Sequence, residues 1–209
     1  MPTIKPMDYF EFFGLPHKLT LDVVALETQF YAMSRRLHPD RFASKSVTEQ
    51  EAALTQSSLL NDAYRTLKDP ILRTRYLLKL EGVELEEQSK AATEAARATG
   101  VEKKQVVPPE LLEEVFELNM QLQEMRVANQ MGEDEPELRR DLMTTKDAFD
   151  AKMIETQAKL EGLWKAWDAG VDAGDEAAKT RAKEAMVELL NKRSYLRNLV
   201  RDVTEALGL

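Results

Sequence analysis

Within successive segments between Val23 and Leu207 the apolar residues recur every three or four positions, and nowhere do they alternate over a useful length. A strand of a half-buried sheet needs period-two alternation, whereas a three-to-four repeat lines one side of a helix. The chain therefore reads as all-α. Gly and Pro, at 8 each, are too scarce to interrupt it often, so their positions mark the helix ends. Asp8 to Phe13 fits a short first helix closed by Gly14 and Pro16. Thr20 or Asp22 can cap a second helix to about Leu37, with Val23, Leu26, Phe30, Met33 and Leu37 on one face. Pro39 breaks it, because proline restricts the residue before it and cannot donate a backbone hydrogen bond. A polar loop over Asp40 to Ser46 leads to a third helix, Thr48 to Leu67, with Ala53, Leu60, Ala63, Tyr64 and Leu67 as its buried stripe. Asp69-Pro70 opens a segment reaching Leu80 that adds Tyr76, Leu77 and Leu80 to the core.

Residues 81–108 are rich in Ala, Glu and Lys and end in a double proline, which suits a linker with an exposed helical piece. Three more helices are expected at about 109–130, 135–169 and 173–207, with turns at Gly132 and around Gly170 and Gly174. The middle one carries Leu138, Leu142, Phe149, Met153, Leu160, Trp164 and Trp167. The last carries Met186, Leu189, Leu196, Val200, Val203 and Leu207. Both are amphipathic and should pack as an antiparallel bundle, with the tryptophans as core. The organisation is thus an N-terminal unit over 1–80, a linker over 81–108 and a three-helix bundle over 109–209.

Charge follows that division. Residues 1–80 hold 11 Lys+Arg against 9 Asp+Glu, a balance of +2, and residues 81–209 hold 18 against 28, a balance of −10. The acidic part is unsuited to nucleic acid, because phosphate contacts need clustered cations. The chain lacks cysteine, which removes thiolate nucleophiles, disulfides and thiolate metal sites and suits a reducing, cytoplasmic setting. With His17 and His38 as the two histidines, no histidine-rich metal centre is expected, and no cofactor. There is no apolar run of transmembrane length, and the first residues show neither a secretory nor a transit pattern.

Two features carry the functional reading. The first is His38-Pro39-Asp40, which follows an amphipathic helix ending in Arg35 and Arg36 and precedes Arg41 and Lys45. The proline sets a sharp corner that turns the imidazole and carboxylate outward. Flanked by cations, such a pair can dock on a polar, acidic surface. The plainer alternatives are a turn self-capped by its aspartate and a solvated basic helix end. Nothing predicts a pocket there, so acid–base catalysis ranks last. The second feature lies in the helix after Pro109. At about 100° per residue, Leu111, Val115, Leu118, Leu122 and Met125 fall within roughly 40° of one direction. Leu112, Phe116 and Met120 fall at about 100°, 140° and 180° from it, with Glu113, Glu117 and Glu124 along the edge. A surface helix of a simple bundle needs one apolar stripe. The second is either a partner face with an acidic rim or a patch covered by the N-terminal unit or linker.

The surroundings of the tripeptide are more specific than the tripeptide itself. YFEFFGL, a helix, His38-Pro39-Asp40, a second helix, and then LNDAYRTLKDP with Arg73 follow in order. This resembles the J-domain of DnaJ-type co-chaperones across roughly residues 7–80. More narrowly, MDYFEFFGLP, HPDRFAS and RTRYLLKLEG resemble the HscB family, J-proteins of iron–sulfur cluster assembly, and the likeness continues through the C-terminal bundle. It implies an L-shaped pairing of a J-domain helical hairpin with a three-helix bundle. It implies that the chain is no enzyme, and that His38, Pro39 and Asp40, helped by Arg35, Arg36, Arg41 and Lys45, stimulate ATP hydrolysis by a DnaK-class, HscA-like chaperone. It further implies that the bundle binds an IscU-like cluster scaffold. Leu112, Phe116, Glu117 and Glu124 match the family's apolar and acidic contacts. Glu113 stands where the family often has an apolar residue and Met120 where it often has an acid. Tyr195 matches an aromatic beside the same surface, one step off its helix's main stripe, so it is either partly exposed or a partly buried flank aromatic. The rivals are a J-protein for another client and a helical adaptor that does not stimulate the ATPase.

Overall fold

The computed structural model describes residues 8–83, 85 and 107–209. All regular structure among them is helical: α1 (Tyr9–Phe12), α2 (Val23–Leu37), α3 (Val47–Lys68), α4 (Pro70–Leu80), α5 (Leu112–Met131), α6 (Pro136–Ala173) and α7 (Glu176–Leu207). Short 3-10 turns stand at Pro39–Phe42 and Pro109–Leu111. Most of the linker expected at 81–108 lies outside the described residues. No helix among them is long and apolar enough to cross a membrane.

Local chemistry sets the boundaries. Asp8 caps α1 by accepting from the Glu11 N–H, and Asp22 caps α2 by accepting from Val24 and Ala25. Ser46 and Glu49 exchange hydrogen bonds as a capping box at the start of α3. Asp69 caps α4 with Pro70 in its first turn. Of the two glycines expected to mark the turn before α7, Gly174 does so and Gly170 does not. The helix runs through Gly170 and ends at Gly174, whose φ of +64° is the left-handed geometry that favours glycine. Gly170 serves another purpose: a Cβ there would lie 3.0 Å from Lys179 Cγ and 3.3 Å from the Lys179 nitrogen, so its bareness lets α7 start close against α6.

The chain forms two compact units, one of Met1–Leu85 with Trp164–Lys183, the other of Glu86–Leu163 with Glu184–Leu209. In the first, α2 and α3 pack as a hairpin, with Phe30 stacked on Tyr64 at 4.1 Å. Tyr64 and Lys68 both donate to the Glu27 carboxylate, at 2.8 and 3.4 Å. The Tyr64 hydroxyl, then Lys68, hold the Glu27 carboxyl below its ordinary 4.5. Its charged form is therefore favoured by folding. The resulting stability is present above pH 4.5 and is lost as pH falls through the lowered folded value. Glu27→Gln should flatten the pH dependence of the unfolding midpoint between about pH 6 and about pH 3, read by urea titration at each pH. α1 is tied on by Tyr9, whose ring stacks on Tyr76 at 4.4 Å, and by Gln29, which donates to the Phe13 carbonyl at 2.8 Å. In α4 the core takes Leu77 and Leu78, while Leu80 is exposed.

The hairpin tip supplies the rest of this unit. Asp168, buried in α6, accepts from the backbone N–H groups of Leu19 at 2.7 Å and Thr20 at 2.8 Å. The Trp167 indole donates to the His17 carbonyl at 2.9 Å, and Lys18 pairs with Asp172 at 2.6 Å. Arg73 is buried and donates to the Leu67 carbonyl. Burial pushes its guanidinium down, opposed by the negative charges of Asp168 and Asp69.

In the second unit Leu111, Val115, Leu118, Leu122 and Met125 of the α5 region join Leu138, Leu142 and Phe149 of α6 and Leu196, Leu199, Val203 and Leu207 of α7 in one core. Glu114–Lys152 at 2.7 Å and Glu110–Lys192 at 2.9 Å brace its edges. The buried stripe of α7 is wider than the expected one. Leu190 and Leu199 are buried as well, while Leu189 and Val200 are half-buried.

Candidate functional site

The corner after α2 is built from proline geometry and one unusual cap. His38 takes ψ 126°, the extended conformation required before proline, and Pro39 opens the 3-10 turn. The His38 imidazole Nδ1 accepts the Asp40 backbone N–H at 3.3 Å. The cap is thus the imidazole, not the aspartate that a self-capped turn would use. With Nδ1 occupied as an acceptor, the neutral ring carries its proton on Nε2. The Asp40 carboxylate lies 3.5 Å from Nδ1, and the two side chains are 55% and 88% exposed. That oxygen meets a nitrogen whose lone pair already serves the backbone, so the pair attracts only when the ring is protonated. Both groups remain available to an incoming surface.

The cations gather around this corner. Arg35 and Arg36 occupy the last turn of α2, where positive charge complements the helix dipole. Arg41 reaches back to donate to the Arg35 carbonyl at 3.2 Å. Lys45 is exposed, and its carbonyl, with that of Ala43, accepts from Gln50 in α3, which fixes the path of the turn. Arg35, Arg36 and Arg41 are also exposed, and Pro39 is half-buried.

In the second unit, α5 separates its two stripes. Its core positions are buried, while Leu112, Phe116 and Met120 are exposed, Phe116 by 68%. Glu113, Glu117 and Glu124 are exposed beside them. Val127 and Met131 continue the exposed side beyond Met120, and the same 100° arithmetic includes both. Tyr195 departs from the expected arrangement. It is only 6% exposed and belongs to the bundle core, and burial pushes its hydroxyl up from the ordinary range. The broad buried side of α7 has room for an aromatic one step off the main stripe, so the side chain packs inward.

No family model matches the sequence. Solved structures do. The chaperone HscB from Vibrio cholerae is 27% identical, with a TM-score of 0.59 over 95% of this chain and 96% of that one. In sequence and fold the chain is similar to HscB co-chaperones. The human co-chaperone protein HscB is 24% identical, with a TM-score of 0.57 over 96% of this chain and 83% of that one, and shows the shared fold. Both the His38-Pro39-Asp40 corner and the second apolar stripe of α5 are open to solvent.

Proposed function

We propose that the chain is a co-chaperone that docks its His38-Pro39-Asp40 corner on a DnaK-class, HscA-like chaperone, stimulates ATP hydrolysis there, and delivers an IscU-like iron–sulfur scaffold held on α5. The observation that carries this reading is the exposed imidazole and carboxylate at a proline corner ringed by Arg35, Arg36, Arg41 and Lys45. The chemistry belongs to the partner. The chain contributes binding energy, and it accelerates hydrolysis only by binding the hydrolysis-competent state of the ATPase more tightly than the other. The cations favour an acidic ATPase surface and hasten encounter. Leu112 and Phe116, with Glu117 and Glu124 beside them, are the groups assigned to the scaffold; Glu113 and Met120 extend the face on either side. Joining both sites in one chain raises the local concentration of scaffold near the chaperone without any new contact.

Steady-state ATPase of the DnaK-class partner, measured with this chain, with scaffold and with both, tests the two ends together. Stimulation by the chain, greater with scaffold, is the expected result; none under any condition overturns the reading. The scaffold end has its own check. Leu112→Ala with Phe116→Ala should weaken scaffold binding by about thirtyfold, the size of a central hot spot, at unchanged helicity because neither side chain is core. Unchanged affinity in calorimetry removes this face from the site.

A further inference from the structure

We infer that the partner-binding face of α5 runs the whole length of that helix, with Val127 and Met131 as its far half, and takes an apolar ridge carrying lysine or arginine along one side. This rests on the reading that Leu112 and Phe116 hold the scaffold. Val127 is 45% exposed and Met131 68%. Measured from the core direction at about 100° per residue, they fall at about 160° and 200°, in line with Phe116 and Met120. Gln123 fills the rung between. The helix is unbroken from Leu112 to Met131 and stops at Gly132, so the exposed apolar line spans about 28 Å.

The two edges of the line differ in charge. Glu117 and Glu124 occupy one, at about 240° and 220°, with Glu113 beside Met131 at about 200°; Asn119 and Arg126 occupy the other, at about 80° and 60°. A ridge with cations on a single side fits in one orientation only, because reversing it would face Arg126 with positive charge. A second copy of the chain fits poorly, since residues 81–209 carry −10.

The test uses the full chain and purified scaffold in calorimetry at two salt concentrations. Val127→Ser with Met131→Ser should lower affinity about tenfold, less than the Leu112 and Phe116 pair, with circular dichroism unchanged. Glu117→Gln with Glu124→Gln should reduce the salt dependence of binding. If the Leu112 and Phe116 pair loses affinity while the Val127 and Met131 pair binds like the parent, the extension is overturned and the shorter face stands. If neither pair matters, the underlying reading fails as well. Self-association in sedimentation that Val127→Ser with Met131→Ser removes would assign the far half to a second copy and overturn the assignment.

Discussion

His38→Gln is expected to remove stimulation of the partner ATPase while leaving fold and scaffold affinity unchanged. The imidazole does two things at once: Nδ1 takes the Asp40 N–H, and the rest of the ring faces solvent. A glutamine can offer an amide N–H near the position of Nε2, but its flexible stem cannot hold the backbone N–H and present that donor together. It also never becomes cationic, so any attraction that depends on a protonated ring beside Asp40 is lost. Stimulation should drop at least about tenfold, a loss of about 1.4 kcal/mol in differential binding. Stability should stay within about 0.5 kcal/mol, because the side chain is exposed and its one bond is to a solvent-facing N–H. Steady-state ATPase and a urea midpoint on the same preparation check both halves. Retained stimulation would count decisively against the corner.

The largest loss of stability is expected from Asp168→Ala. Its carboxylate is the acceptor for two successive backbone N–H groups, those of Leu19 and Thr20, and the Leu19 bond is buried. Each buried donor left without an acceptor costs about 1 to 3 kcal/mol. The substitution also deprives buried Arg73 of one of the two negative charges that offset its burial. A loss of about 3 kcal/mol follows, a large fraction of the stability of a domain this size. Asp168→Asn should lose about half as much, since its amide offers one acceptor oxygen where two N–H groups converge. Urea midpoints order the two variants, and hydrogen exchange at the Leu19 and Thr20 amides locates the damage. An Asp168→Ala midpoint within about 0.5 kcal/mol of the parent would show that the bonds contribute nothing net.

What could be read from the chain was what depends on neighbours in sequence. Asp22 and Asp69 cap where a short polar side chain precedes an apolar repeat, and Pro39 forces its corner whatever lies around it. The two stripes of α5 were legible because helical angle alone separates Leu118 from Phe116. Contacts between distant residues were not. Asp168 meets Leu19 across 149 positions. Its one local signal was a carboxylate four residues after Trp164, on the buried side of an amphipathic helix. Tyr195 was open to either placement because a residue at the margin of a stripe is decided by the width of the neighbouring helices, which spacing does not encode. Gly170 looked like a turn because glycine ends helices; here its missing Cβ serves packing instead.

The hairpin tip, 164–183, is grouped with the N-terminal unit although a long stretch of chain separates the two. Any recombinant exchange that transplants only the first eighty or so residues onto another protein would leave the backbone of Leu19 and Thr20 and the carbonyl of His17 without their mates. A transferable cassette would have to carry the α6–α7 bend as well, spliced in as a second insert.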